Sequence, residues 1–191
     1  MLAQEYNCKL ILEQFEENPF LPYFYENKDK YAFPLELFFM TERHKQLEKD
    51  LMNQDMFNDF TVGDYSFVKT LLFARNNLQQ REFRVFQKLF NVLNKDFAKP
   101  DIIVYFHRNV DILESNIVKR GRSFEQNISP AYLQEIQNAY FEYFRNILTF
   151  PVLIIDLEDK DFVAKENHYE DIKYLIQKKW NPGVHRYTLS S

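Results

Sequence analysis

Three cations and one carboxylate, Lys119, Arg120, Arg122 and Glu125, gather around Gly121, the middle glycine of the chain. A guanidinium offers several donors in a fixed planar fork that matches phosphate oxygens, and a glycine between two of them frees the backbone to swing. The chemistry this allows is a mobile phosphate clamp. The same residues also fit a solvated helix end, where Lys and Arg complement the negative pole of the helix dipole and Gly caps it. A second reactive candidate is Glu13, which follows the short apolar run Lys9 to Leu12. In α/β proteins ligands bind at the carboxyl edge of the sheet, so a carboxylate just past a buried strand is placed to take a proton. Glu13, Glu16 and Glu17 can equally be read as an acidic loop.

Several further elements must position these groups. Residues 1–8 read as the end of a helix, without a capping residue before it. Phe20 to Phe39 lead into a helix running to about Leu51, and Phe60 to Phe67 read as a second strand ending in a polar turn. A helix through Lys69 and Phe73 follows. Residues 82–95 form an amphipathic helix with Phe83, Val85, Phe86, Leu89, Phe90 and Leu93 on one broad side. Pro100 to Phe106 is a strongly apolar strand of the kind buried on both faces of a parallel sheet, with His107 and Arg108 at its carboxyl end. A helix at 110–119 delivers the chain to the basic stretch, and a helix at 130–148 carries Tyr132, Ile136, Tyr140, Phe141 and Phe144 at helical spacing. Pro151 to Asp156 is the last strand, 165–179 a tail helix, and Trp180 to Ser191 a surface extension broken at Pro182 and Gly183. Strands alternating with helices predict an α/β fold, a parallel sheet flanked by helices.

Composition limits the options. At 191 residues, 46% hydrophobic and 27% charged, the chain reads as one folded domain able to bury a substantial core. The 20 Phe and 12 Tyr favour bulky packing between helices and an aromatic-lined pocket. A net charge of −4 argues against a broad nucleic-acid surface, whereas a small phosphate ligand needs only a local cluster. The single Cys8 cannot close an internal disulfide, which points to a reducing, cytoplasmic setting. No apolar run approaches the ~20 residues that cross a bilayer, so no membrane partner is expected. His107 has no second His or Cys at ligand spacing, and no zinc site is read.

The basic stretch 119–128, its continuation from Ser129 through the aromatic helix to Phe144, and matches along most of the chain resemble the deoxynucleoside kinases. The resemblance implies a P-loop kinase-like three-layer architecture whose lid spans about 119–128. It implies that Arg120 and Arg122 close over ATP phosphates and that Glu125 helps to hold the sugar. Glu13 matches the general base that takes the proton of the deoxyribose 5′-hydroxyl. Tyr25 matches a tyrosine that reaches the sugar 3′-hydroxyl, and Glu36 a polar residue that reads the base. Many relatives carry glutamine there, which donates and accepts, whereas an ionised glutamate only accepts, so base preference stays open. Arg43 either supports Glu36 from its own helix or stays in solvent. Asp64-Tyr65-Ser66 matches an acidic-Arg-Ser motif: Asp64 keeps the acid that helps with Mg2+, while Tyr65 replaces the arginine, leaving Lys69 or Arg75 to supply the charge. Phe73 matches an aromatic residue that stacks on the base or else belongs to the core, and Asp161 with Phe162 lies in the loop over the ATP adenine. The helix at 82–95 matches the region through which relatives form homodimers; core burial is the alternative.

One family feature has no match. Gly63, Gly121 and Gly183 are the only glycines, and none opens into Gly-Lys-Ser or Gly-Lys-Thr, the loop whose backbone N–H groups cradle ATP phosphates. The first strand and this P-loop are expected to be missing from the chain, through truncation, a larger parent chain or lost catalysis. The leading expectation is ATP-dependent phosphorylation of a deoxynucleoside 5′-hydroxyl, weak or absent in this chain alone. The alternative is a non-catalytic module that binds a nucleoside or a partner chain.

Overall fold

The computed structural model describes residues 1–14, 18–52, 57–122, 125–126 and 128–189. Glu16 and Glu17 of the expected acidic loop, and Ser123, Phe124 and Asn127 of the expected lid, lie outside the described residues. The described residues group into two compact units, Met1–Ala98 and Lys99–Ser191.

The first unit contains α1 (Leu2–Glu5), β1 (Cys8–Ile11), α2 (Leu21–Phe24), α3 (Lys28–Met52), β2 (Phe60–Gly63), α4 (Val68–Asn77), α5 (Gln80–Leu93) and a 3-10 turn at Asn94–Asp96. β1 and β2 run parallel, with Ile11 opposite Gly63. Asp64 N–H donates to the Ile11 carbonyl at 3.1 Å, so the polar residues after the two strands leave the sheet side by side. Asn27 starts α3 by accepting from the Lys30 N–H at 3.1 Å, satisfying a helix-end donor that has no intrahelical partner.

The first unit's core gathers Ile11, Leu35, Met40, Leu47, Phe67, Ala74, Phe86 and Phe90. Phe67 stacks on Phe90 with centroids 5.0 Å apart, and Phe97 meets Phe67 edge-on. The apolar residues of α5 do not all share this burial. Phe86 and Phe90 enter the core and Phe83 and Leu93 pack at its margin, but Val85 and Leu89 are exposed, together with Val92. A helix turns 100° per residue, so this set is too wide for one contact face and divides into a buried and an exposed stripe.

The second unit contains β3 (Ile103–His107), α6 (Val110–Arg120), α7 (Pro130–Arg145), β4 (Pro151–Asp156), α8 (Glu166–Gln177) and β5 (Gly183–Thr188). The strands form a parallel sheet in the order β3-β4-β5. Successive side chains of central β4 point to opposite faces. Leu153 and Ile155 pack with Ile172 and Leu175 of α8, while Val152 and Ile154 pack with Phe144 of α7 and Ile147 just beyond it. This helix–sheet–helix layering agrees with the α/β expectation, and it explains why β4 is apolar at consecutive positions.

The C-terminal stretch differs from expectation. Gly183–Thr188 is a sheet strand, paired with β4 from Pro151↔Gly183 to Asp156↔Thr188, and not a surface extension. Its sequence, Gly-Val-His-Arg-Tyr-Thr, is too polar to announce a strand, because four of its six residues are exposed and its pairing is decided by the neighbour. Leu189, buried just beyond, and Trp180, whose Nε1–H donates to the Leu175 carbonyl at 2.8 Å, pin its two ends. Among the described residues no helix is long and apolar enough to cross a membrane.

Candidate active site

Glu13 stands two residues past β1, and three elements converge on it. Its backbone N–H donates to Asp64 Oδ1 at 2.8 Å. Arg43 of α3 reaches Oε1 with both Nε (2.7 Å) and NH2 (2.6 Å), and Lys69 of α4 reaches Oε2 at 2.5 Å. Each carboxylate oxygen therefore faces its own cation. Burial opposes the charge on Glu13, but the Arg43 and Lys69 charges and their hydrogen bonds outweigh it and hold the carboxyl below its usual range.

Arg43 neither partners Glu36 by hydrogen bond nor stays in solvent. It is 5% exposed, with its NH1 donating to Thr70 Oγ1 at 3.0 Å and its guanidinium carbon 4.7 Å from the Phe39 ring centroid. Seven residues after Glu36, Arg43 lies close to two helical turns on, so a shared face does not oblige the two to touch. Lys69, at the first turn of α4, supplies the charge beside Glu13 that the Asp64-Tyr65-Ser66 triplet lacks; Arg75, in the last turn of that helix, is exposed. Tyr65 instead serves the strand end. Its hydroxyl donates to Gln46 Oε1 at 3.0 Å, and Gln46 Nε2 donates to the Leu12 carbonyl at 2.8 Å, tying α3 to the residue before Glu13.

Glu36 lies on the same helix as Arg43 in a different setting. It is 1% exposed, and Asn77 Nδ2 donates to its Oε1 at 2.6 Å. Burial raises its pKa to about 7, against the lowering influence of the Asn77 hydrogen bond and the charges of Arg43, Lys28 and Lys69. Glu36 Oε2 and Asn77 Oδ1 are buried with no hydrogen-bond partner among the described residues. Sequence reasoning missed Asn77, as well as Thr70 and Gln46. An Asn at the last turn of a helix is usually read as an end signal, and nothing local reveals a partner 41 residues away. Tyr25 lies at the end of α2, half-buried against the first core and edge-on to Phe24 at 5.1 Å. Phe73 is half-buried on α4, with Lys69 Nζ 5.8 Å from its centroid.

In the second unit, Gly121 takes a left-handed φ of 72° and ends α6, its N–H donating to the Ile117 and Val118 carbonyls. The helix-end reading of this glycine is thereby met. The cations next to it are not simply solvated: Arg120 NH2 lies 2.5 Å from Glu125 Oε2, and Arg122 NH1 lies 3.3 Å from Oε1. Glu125, 8% exposed, thus holds both arginines. Arg108, just after β3, donates to the Lys160 carbonyl at 2.6 Å and through its own carbonyl accepts from Gln137 Nε2, also at 2.6 Å. Asp161 receives the Val163 and Ala164 N–H groups on Oδ1; the Ala164 and Val163 hydrogen bonds lower its pKa. Phe162 stacks on Phe106 at 5.1 Å. Both side chains therefore shape the loop they belong to.

The described residues contain no group of three or more His, Cys, Asp or Glu that could hold a metal. Asp64 is exposed, and the hydrogen bond with Glu13 engages only one of its oxygens. That fits Mg2+, which takes one or two carboxylates and fills its remaining positions with water and substrate phosphates.

Comparison with known proteins gives this arrangement a context. Residues 1–180 match the family model described as deoxynucleoside kinase. The chain is 32% identical over 182 residues to a deoxyguanosine kinase of Bacillus subtilis (strain 168), covering 93% of this chain and 88% of that one. It is 26% identical over 178 residues to a deoxyadenosine/deoxycytidine kinase of the same organism, covering 90% and 81%. Among solved structures, deoxyadenosine kinase from M. mycoides with bound dATP superposes with a TM-score of 0.77 at 24% identity, covering 93% of this chain and 90% of that one. That likeness carries the fold, parallel sheets flanked by helices, and the family match over nearly the whole sequence carries the kinship: the chain belongs to the deoxynucleoside kinase family.

Proposed function

We propose that this chain takes part in transfer of the γ-phosphoryl group of ATP to the 5′-hydroxyl of a deoxynucleoside, in nucleotide salvage, with Glu13 as the proton acceptor. The single observation carrying this reading is the Glu13 carboxylate fixed between Arg43 and Lys69 at 2.5–2.7 Å. Phosphoryl transfer passes through a loose transition state with little covalent work for the protein, so catalysis rests on positioning and charge. A base in such a reaction needs above all to be ionised and fixed; the two cations provide both. Within the second unit, Arg120 and Arg122 can exchange Glu125 for phosphate and stabilise charge on its oxygens, and Glu125 so released can accept from a sugar hydroxyl; the sugar contact proposed within the first unit is Tyr25. Phe73 and Glu36 address the base, with Arg43 serving the base indirectly through its charge. Asp161 and Phe162 shape the ATP-side loop. Asp64 would hold Mg2+, which when bound neutralises phosphate charge. The proposed setting is the cytoplasm and the proposed assembly a homodimer, supported by exposed Val85, Leu89 and Val92 on α5.

The sequence has no glycine-rich loop ending in Lys-Ser or Lys-Thr, so turnover by these 191 residues is proposed to be weak. That same observation favours a second reading, a non-catalytic nucleoside- or partner-binding module derived from a kinase. Calorimetric titration with the four deoxynucleosides, followed by assay of label transfer from γ-labelled ATP, separates the two. Binding with slow transfer above the protein-free background supports the kinase; binding without transfer assigns the module. No binding of any deoxynucleoside overturns the kinase and the nucleoside-binding module and leaves only the partner-binding form.

A further inference from the structure

Glu36 and Asn77 leave two oxygen atoms buried and unmatched, and both lie in the first unit on packed helices. Leaving a buried acceptor without a donor is disfavoured by about 1–3 kcal/mol, so such a pair calls for donors that the described side chains do not supply. Asn77 Nδ2 is committed to Glu36 Oε1 at 2.6 Å, and this fixes which way the amide points: its Oδ1 is the atom left over. An amide oxygen only accepts, and an ionised carboxylate oxygen only accepts. The unmatched set is therefore acceptor with acceptor.

We propose that Glu36 and Asn77 together select a base presenting two adjacent N–H donors, the N1–H and N2–H of guanine, over adenine and cytosine, whose corresponding edges pair a donor with an acceptor. This rests on the reading of the chain as a deoxynucleoside kinase and adds to it a base and a specificity-determining residue, Asn77. Adenine and cytosine would set a ring-nitrogen lone pair against an acceptor oxygen, unless Glu36 were protonated. The groups that bear on the Glu36 charge are Asn77 and Lys69 of α4 and Lys28 and Arg43 of α3. With the carboxyl titrating near 7, guanine binding draws on the ionised form and adenine binding on the protonated form.

The test is equilibrium binding of deoxyguanosine, deoxyinosine, deoxyadenosine and deoxycytidine to the 191-residue chain by calorimetry, which needs no turnover. Deoxyguanosine is expected to bind tightest. Deoxyinosine, which keeps N1–H and lacks the 2-amino group, is expected to bind about tenfold more weakly. Asn77→Ala should bring the deoxyguanosine-to-deoxyinosine ratio down to near one, a ratio that general loosening of the fold would not move selectively. Glu36→Gln, which adds a donor, should shift the preference toward deoxyadenosine by about tenfold. Between about pH 8 and about pH 6 deoxyguanosine affinity should fall roughly tenfold as the ionised fraction falls, while deoxyadenosine affinity does not fall. Tighter binding of deoxyadenosine or deoxycytidine, or an Asn77→Ala ratio equal to that of the unaltered chain, overturns the inference and leaves the kinase reading standing. Failure of all four to bind overturns the kinase reading itself and this inference with it.

Discussion

Glu13 and Glu36 are two largely buried carboxylates in one unit that share the influence of Arg43, yet their environments push them in opposite directions. Glu13 gains two cations in direct contact, and they overcome the desolvation that would otherwise neutralise it. Glu36 has one amide hydrogen bond, while the cations that lower its pKa do not touch it, so burial wins and the carboxyl titrates near 7. Carboxylates whose environments separate their pKa values are suited to different tasks. One is held ionised by its two cations; the other can change its hydrogen-bonding character near neutral pH.

The sharpest way to break the comparison is Glu13→Gln. As the proposed base its loss should lower kcat by about 10²–10⁴-fold, with deoxynucleoside affinity largely kept. Near-native kcat in a chain that turns over removes Glu13 from the base role. Next in size is Glu13→Ala, which leaves the Arg43 guanidinium buried and unpaired. Urea unfolding should show a loss of about 3–5 kcal/mol, and a loss below about 1 kcal/mol would mean that the pair is not desolvated. Glu36→Gln should act with the opposite sign. Because the Glu36 pKa rises on folding from 4.5 to about 7, its favourable contribution is complete below 4.5 and lost as pH rises through 7. The variant should therefore gain on the order of 1–3 kcal/mol relative to the unaltered chain at about pH 8 and little at about pH 4. Equal effects at both pH values would show that Glu36 does not titrate with folding. Glu13 obeys the reverse rule: its stabilisation is present above 4.5 and lost as pH falls below it. The smallest effect belongs to Lys69→Met, since Lys69 is 27% exposed and Arg43 remains on Glu13. About 1 kcal/mol of stability and an upward shift of the Glu13 titration in carboxyl-detected NMR are expected; an unmoved titration would reject the Lys69 contact.

A third carboxylate separates what is local from what is not. Glu125 also lies between two cations, but its partners are three and five residues away, whereas those of Glu13 are 30 and 56 residues away. The cluster of Arg120, Arg122 and Glu125 was legible as a motif because its spacing puts the charges together under almost any compact backbone. The glycine end of α6, the Ser129-Pro130 start of α7 and the continuous apolar run of β4 were legible for the same reason. Arg43 could not be placed so: its helix offers several outward directions, and only the packing of α3 near the end of β1 selects Glu13.

By itself the sequence determined the alternation of strands and helices, the apolar strands, the family kinship and the identity of Glu13 as a carboxylate at a strand end. Tertiary structure decided that Arg43 and Lys69 hold Glu13, that Asn77 meets Glu36, that the exposed stripe of α5 leaves the core, and that residues 183–188 join a sheet. The physical reason is range. Periodicity, caps and neighbouring charges act within a turn or two of chain, whereas buried ion pairs and edge strands depend on distant segments whose meeting is set by burial of the whole core.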